Sequence, residues 1–114
     1  MVGDLGDVDQ WSAAKLEAAL GGDNPPVIID VREPEEFVGT LGHIPGALLV
    51  PMDALGARLP KLAGYLGRQF TVVCRAGARS KTACAILIKA GFADVCNLDG
   101  GMLAWSEAGY PVHR

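Results

Sequence analysis

Short apolar runs typical of buried strands alternate along this chain with stretches typical of amphipathic helices. The runs 27–31 and 70–74 are the clearest strands, since each is rich in β-branched residues. Successive parallel strands need a crossover, which is usually a helix. The alternation therefore predicts an α/β fold with a mostly parallel central sheet and helices on both faces. Weaker patterns predict strands over 47–50 and 95–98, and helices over 13–20, 33–37, 51–58, 80–90 and 102–105.

Size and charge narrow the class of protein. The chain has 114 residues, which predicts one domain over 1–114. Its net charge of -3 and pI near 5.2 argue against nucleic-acid binding, because a duplex binder needs a basic surface. No apolar run approaches the ~18 residues that a membrane span requires, so no membrane contact is predicted. The acidic start, Met1 to Asp7, lacks the basic region of a signal peptide, and we expect a cytoplasmic protein.

The cysteines argue against disulfides and metal sites. Cys74, Cys84 and Cys96 are an odd number and show no C-x-x-C spacing. With only His43 and His113 beside them, no metal-ligand cluster is visible, and we predict neither a metal nor another cofactor. Reduced thiols are expected, with Cys84 and Cys96 in the core.

Cys74 has the sequence context of a nucleophile. It ends a predicted strand, and a turn over 75–80 leads directly into a helix. Backbone N–H groups and the positive end of the helix dipole converge at such a place and favour the thiolate. Between Ala54 and Ala93 there is no Asp or Glu, yet seven of the ten Lys and Arg residues lie there. This charge pattern predicts that Cys74 acts on an anion.

Four motifs, in this order and spacing, resemble the rhodanese family. They cover nearly the whole chain: Asp30-Val31-Arg32-Glu33-Pro34-Glu35-Glu36-Phe37, Gly42-His43-Ile44-Pro45-Gly46-Ala47, Cys74-Arg75-Ala76-Gly77-Ala78-Arg79-Ser80 and Gly100-Gly101-Met102-Leu103-Ala104-Trp105. In that family the loop cysteine takes a sulfane sulfur from a donor such as thiosulfate and forms a persulfide. It then passes the sulfur to a thiophilic acceptor such as cyanide or a thiol. The resemblance implies that Cys74 is this nucleophile in a single rhodanese-like domain.

The residues around Cys74 suit an anionic sulfur donor. Backbone amides can cradle the donor, Gly77 permits the bend that a cradle needs, and two arginines add positive charge. The predicted substrate-binding residues are Arg75, Ala76, Gly77, Ala78, Arg79 and Ser80. Two further residues are predicted to support the loop. Asp30 would bond the loop amides or Arg79, or merely cap a turn, and Arg32 would pair with nearby acids.

Other residues near these motifs are expected to be structural. We assign His43 to loop structure, because sulfite is a stable leaving group that needs no acid for its release. Trp105 and Met102 are expected to pack in the core.

Two departures from the well-studied two-domain thiosulfate enzymes leave the donor open. Those enzymes carry Lys where this chain has Ala76, and Arg where it has Glu36. The resemblance is therefore compatible with slow thiosulfate turnover, or with preference for another donor such as a persulfide on a protein. The basic middle third could be a solvated face, or a docking surface for an acidic donor or acceptor protein.

Two other functions compete with sulfur transfer. A related fold hosts cysteine phosphatases and arsenate reductases, whose signature spaces Cys and Arg by five residues, whereas Cys74 and Arg79 enclose four. The smaller ring suits a sulfur centre better than a phosphoryl group. Many rhodanese-like domains are non-enzymatic binding modules, but those have typically lost the cysteine that this chain retains.

Overall fold

Five strands and five helices alternate in the computed structural model, which describes residues 8–114. The strands are β1 (Asp9–Trp11), β2 (Val27–Asp30), β3 (Leu48–Leu49), β4 (Phe70–Val73) and β5 (Val95–Leu98). The helices are α1 (Ala13–Leu20), α2 (Pro34–Phe37), α3 (Met52–Leu62), α4 (Ala78–Lys89) and α5 (Gly101–Glu107), and a 3₁₀ turn (Ala63–Tyr65) follows α3. The acidic start, Met1 to Asp7, lies outside the described residues.

All strands are parallel and follow the order β1-β5-β4-β2-β3 across one sheet. The central strands β2 and β4 are buried along their whole length, as strands covered on both faces must be. Neighbouring residues on these strands face opposite sides: Ile29 and Val72 belong to one apolar cluster, Ile28 and Val73 to the other. Helices α3 and α4 cover the first face, and α1 and α5 the second. The predicted fold class is confirmed.

Some element boundaries differ from the prediction. Strand β1 was not anticipated, because its three residues, Asp9–Trp11, are mostly exposed and lack an apolar run. Helix α3 continues past Arg58 to Leu62, although it contains Pro60. Pro60 lies in the last turn, where one missing hydrogen bond costs little against the burial of Leu62. The predicted N-cap of α1 is confirmed, since the Ser12 side chain accepts from the Lys15 N–H at 3.1 Å.

The loops that follow parallel strands all lie at the carboxyl end of the sheet, and the loop that carries Cys74 is one of them. The residues that follow Asp30 on β2 and Val73 on β4 lie side by side, because these two residues are paired in register. Such carboxyl ends are where open α/β sheets bind ligands. Within residues 8–114, no helix is long and apolar enough to cross a membrane.

Candidate active site at the Cys74 loop

The Cys74 side chain lies inside the loop between β4 and α4. The residue is only 1% exposed, and its sulfur accepts a hydrogen bond from the Gly77 N–H at 3.0 Å. The Ser80 hydroxyl lies 3.2 Å from the same sulfur. An N–H aimed at a sulfur stabilises negative charge on it, and the thiolate is the form that attacks.

Gly77 makes this geometry possible. Its φ is +104°, in the region that residues with a side chain rarely adopt. This conformation turns the Gly77 N–H back towards the sulfur and begins α4 at Ala78. The bend that the sequence predicts at Gly77 is confirmed.

Helix α5 holds the loop from outside. The Met102 N–H donates to the Cys74 carbonyl at 2.9 Å, and the Leu103 N–H donates to the Arg75 carbonyl at 3.0 Å. In a trans peptide the N–H points opposite to the carbonyl. The two peptide groups that follow Cys74 and Arg75 therefore turn their N–H groups away from α5.

These turned N–H groups are unpaired within the part of the chain that the structure describes. Across residues 8–114, no protein group accepts a hydrogen bond from the backbone N–H of Arg75, Ala76 or Ala78. The loop leads into the first turn of α4, where unpaired N–H groups and the helix dipole both favour an anion. The loop can therefore bind negative charge through its backbone.

Gly101 allows α5 to come this close, and sequence reasoning missed its role. Its φ is +57°, and a Cβ at this position would overlap the carbonyl oxygens of Cys74 and Arg75. The adjacent Gly100 also has positive φ, at +77°. The Gly-Gly pair before a predicted helix was the available signal.

Asn97 is a second residue that the sequence analysis missed. It is buried on β5, and its side-chain oxygen accepts a short hydrogen bond from the Ser80 hydroxyl. Its Nδ2 donates to the Gly77 carbonyl at 3.2 Å and to Gln10 Oε1 at 2.9 Å. The only sequence signal was an amide within the otherwise apolar run 95–98.

Arg79 forms a two-pronged ion pair with Glu36. The two guanidinium nitrogens bond the two carboxylate oxygens at 2.8 and 2.9 Å, and the side chains are 41% and 29% exposed. The Arg79 hydrogen bonds lower the pKa of Glu36 to about 2, while Glu36 raises the pKa of Arg79. The positive charge of Arg79 is thus offset beside the loop.

The structure shows the second of the two roles predicted for Asp30, a cap on the turn after its strand, in place of bonds to the loop amides or Arg79. Both of its carboxylate oxygens bond Arg32, through Nε at 2.9 Å, Nη2 at 2.7 Å and the backbone N–H at 3.1 Å. These bonds, and not contacts with the loop amides or Arg79, occupy the carboxylate. Arg32 pairs with an acid as predicted, and it also donates to the carbonyls of Glu36 and Gly42. The Asp30–Arg32 pair therefore supports the segment that carries Glu36. It reaches the Cys74 loop only indirectly, through the bonds between Glu36 and Arg79.

Other residues that were expected to be structural lie in packed or hydrogen-bonded positions. The His43 ring stacks on Phe37 at 3.6 Å, and its Nδ1 donates to the Phe37 carbonyl at 2.8 Å. Trp105 and Met102 are buried in the core on the α1 and α5 face. Cys84 and Cys96 are buried and free, and burial raises the pKa of the Cys84 thiol to about 12.

The basic middle third does not form one surface. Helices α3 and α4 start at the carboxyl ends of the strands and finish near their amino ends. The loop end therefore carries Arg75, Arg79 and Lys81, while Lys61, Arg68 and Lys89 lie towards the opposite end. Only part of the predicted basic region can act on a molecule bound at Cys74.

Known proteins share this fold and this sequence pattern. The family of the Rhodanese-like domain matches residues 12–108. A sulfurtransferase of Allochromatium vinosum is 34% identical over 105 residues, which cover 92% of this chain and 94% of that protein. Some curated relatives are longer, and the chain spans only 46% and 21% of two of them.

Two solved structures superpose closely. A thiosulfate sulfurtransferase from Pseudomonas aeruginosa has a TM-score of 0.81 at 28% identity, covering 94% of this chain and 20% of that one. A protein from Rhodopseudomonas palustris, described as a "Possible Tyrosine Phosphatase", also has a TM-score of 0.81, at 25% identity, covering 95% of this chain and 86% of that one. The match over residues 12–108 shows that the chain belongs to the rhodanese family.

Proposed function

We propose that this protein is a sulfurtransferase that carries a sulfane sulfur as a persulfide on Cys74. The sulfurtransferases among its relatives support an enzyme of this general type. The observation that carries the proposal is the Cys74 sulfur, which accepts the Gly77 N–H inside a loop whose other N–H groups are unpaired within residues 8–114. A thiolate and an anionic donor would repel each other, and these N–H groups offset that repulsion.

The reaction has two balanced steps. In the first, the Cys74 thiolate attacks the terminal sulfur of thiosulfate, so a Cys74 S–S bond forms, the donor S–S bond breaks and sulfite leaves with its electron pair. In the second, cyanide or a thiolate attacks the outer sulfur, which releases thiocyanate or a new persulfide and restores the Cys74 thiolate. The charge is conserved in both steps, and neither an added oxidant nor a reductant is needed.

The donor must present a narrow, terminal sulfur. Cys74 is 1% exposed, so a reacting sulfur has to enter the loop itself. Thiosulfate and persulfides both end in such a sulfur. An acidic donor or acceptor protein is compatible with Arg75, which is exposed on the loop.

Phosphate-ester hydrolysis is the competing function, because one structural neighbour is described as a "Possible Tyrosine Phosphatase". The loop of this chain places four residues between Cys74 and Arg79, and Arg79 is bonded to Glu36 and not directed freely at a ligand. Both features favour a small sulfur centre over a phosphoryl group. A purely non-enzymatic module would have no use for the Gly77 N–H that is aimed at the Cys74 sulfur.

Intact-mass measurement tests the proposal directly. Incubation with thiosulfate should add one sulfur atom, about 32 mass units, to Cys74, and cyanide should then remove it. Cys74→Ser should lose both the adduct and thiocyanate formation, whereas Cys84→Ser should retain them. Absence of an adduct with both thiosulfate and cysteine persulfide, or an adduct on Cys84 or Cys96, would overturn the proposal. Hydrolysis of aryl phosphates that disappears in Cys74→Ser would favour the phosphatase.

A further inference from the structure

The Arg79–Glu36 pair changes the charge that a donor meets at the loop. Arg79 is the second residue of α4, five residues after Cys74 and two after the bend at Gly77. Its guanidinium already binds a carboxylate in the two-pronged geometry with which it would bind the sulfonate end of thiosulfate. Glu36 therefore occupies the arginine that a dianion would use.

The fold holds Glu36 in this position from several sides. Its Oε1 accepts from the Glu33 N–H at 3.0 Å in the capping box of α2. The buried Arg32 donates to its backbone carbonyl at 3.2 Å. A carboxylate fixed in this way is a constant feature of the site, unlike a surface group that swings into solvent.

Coulomb energy is proportional to the charge of the donor. Glu36 neutralises the Arg79 guanidinium, and this loss of positive charge therefore costs a dianion about twice as much as a monoanion, on a logarithmic scale of rate. Thiosulfate carries two negative charges, whereas cysteine persulfide carries a net single negative charge when its persulfide is ionised.

We propose that Glu36 is a specificity-determining residue that acts through Arg79 and directs this enzyme towards singly charged sulfane donors, such as persulfides, over the dianion thiosulfate. This inference rests on the proposed sulfur transfer through Cys74. With a persulfide, the Cys74 thiolate attacks the terminal sulfur, a new S–S bond forms on Cys74, and the donor leaves as its thiolate. Atoms, electrons and charge balance without a further reactant.

Two sulfur donors of similar shape but different charge can separate the effect of donor charge on the rate from the effect of donor shape. Methanethiosulfonate ion is thiosulfate with one anionic oxygen replaced by a methyl group, and it too offers a terminal sulfur with a stable leaving group, methanesulfinate. Because both donors are measured on the same enzyme sample, the ratio of their kcat/KM values does not depend on how much of a variant is folded. This ratio is therefore the readout.

Glu36→Gln should raise kcat/KM about ten-fold for thiosulfate and about three-fold for methanethiosulfonate, so that the ratio rises about three-fold. Glu35→Gln is the control, because it removes the same charge from an exposed position of the same helix. Its ratio should stay within about 1.5-fold of wild type, since exposed charges are screened. In an Arg79→Ala background, Glu36→Gln should shift the ratio no more than this control does.

Three results would overturn the inference alone: an unchanged or lowered ratio in Glu36→Gln, an equal rise in Glu35→Gln, or an undiminished rise without Arg79. Each leaves sulfur transfer itself intact, because the donors still react at Cys74. Absence of sulfur transfer from both donors in all of these proteins would instead overturn the proposed function, and this inference with it.

Discussion

The side-chain amide of Asn97 donates to the carbonyl of Gly77 across 3.2 Å, and so ties β5 to the middle of the loop that carries Cys74. The oxygen of the same amide accepts from Ser80, which lies against the Cys74 sulfur. The buried Asn97 side chain is thus bonded to the loop at two points, the bend at Gly77 and Ser80 in the first turn of α4. Peptide groups fixed in this way need no reorganisation when a donor arrives.

Asn97→Ala should weaken both stability and activity. The carbonyl of Gly77 and the hydroxyl of Ser80 would lose a buried partner, which costs about 1–3 kcal/mol of unfolding free energy. A loosened loop should lower kcat/KM for thiosulfate by about ten-fold or more, because catalysis is sensitive to small displacements. Urea unfolding and steady-state thiocyanate formation measure the two effects.

Two further variants distinguish the contacts that the Asn97 side chain makes with Gln10, Gly77 and Ser80. Gln10→Ala removes only the hydrogen bond from Asn97 to the exposed Gln10 side chain. This variant should keep kcat/KM within about two-fold of wild type.

Asn97→Asp keeps the oxygen that accepts from the Ser80 hydroxyl but loses the N–H that donates to the Gly77 carbonyl. It also adds a negative charge near a site where an anionic thiolate reacts with an anionic donor. It should therefore cost more activity than Asn97→Ala, and a milder effect would show that charge at this position does not reach the donor.

The sequence predicted the central architecture because its signals are local. Buried β-branched runs, such as 27–31 and 70–74, and a helix start such as Ser12 need no knowledge of distant residues. Strand β1 could not be predicted in this way. It is short and half polar, and its pairing with β5 is decided by residues far along the chain. The end of α3 was missed for a similar reason, since packing of Leu62 against the core overrides the local effect of Pro60.

In the site, too, the residues set by their sequence neighbours were predicted, and those that act from distant parts of the chain were not. Cys74 and the bend at Gly77 follow from neighbouring residues, and both were identified from the sequence. The supports come from elsewhere: Asn97 from β5, Gly101 from the start of α5, and Glu36 from α2. Asp30 was assigned to the loop because it follows the adjacent strand, but Arg32, two residues away, uses its carboxylate. No spacing in the sequence reveals that competition.

Gly101→Ala should disrupt the loop more than an ordinary glycine substitution. Positive φ costs an alanine about 1–2 kcal/mol, and here the Cβ would also overlap the carbonyl oxygens of Cys74 and Arg75. Gly109→Ala is the matched control, since Gly109 also has positive φ, at +79°, but open space around its Cβ position. Urea unfolding should show a larger loss for Gly101→Ala, and only this variant should lose about ten-fold or more in kcat/KM. Equal kinetics in the two variants would argue against α5 as a support of the loop.

Cys84 and Cys96 should resist alkylation while the protein is folded. Burial raises the pKa of Cys84 to about 12 and also raises the pKa of Cys96. At pH 8 a thiol with such a pKa is ionised in only about one molecule in ten thousand, and the thiolate is the reactive form. Treatment with iodoacetamide followed by peptide mass mapping should find both thiols unmodified, and both modified in urea. Rapid labelling of Cys84 in the folded protein would contradict its place in the core.

The Arg79–Glu36 pair should add a small, pH-dependent stability. The pKa of Glu36 is about 2 in the folded protein, below its ordinary value of 4.5, so the unfolded chain binds more protons between these values. The stabilisation is therefore fully present above about pH 5 and is lost as the pH falls towards 2. Because both side chains are partly exposed, at 41% and 29%, we expect only about 0.5–1 kcal/mol at neutral pH. Urea unfolding of wild type and Glu36→Gln should differ by this amount at pH 7 and converge near pH 2. The same comparison in an Arg79→Ala background should show little difference at either pH, and a persistent difference there would assign the stability to the capping of α2 and not to the ion pair.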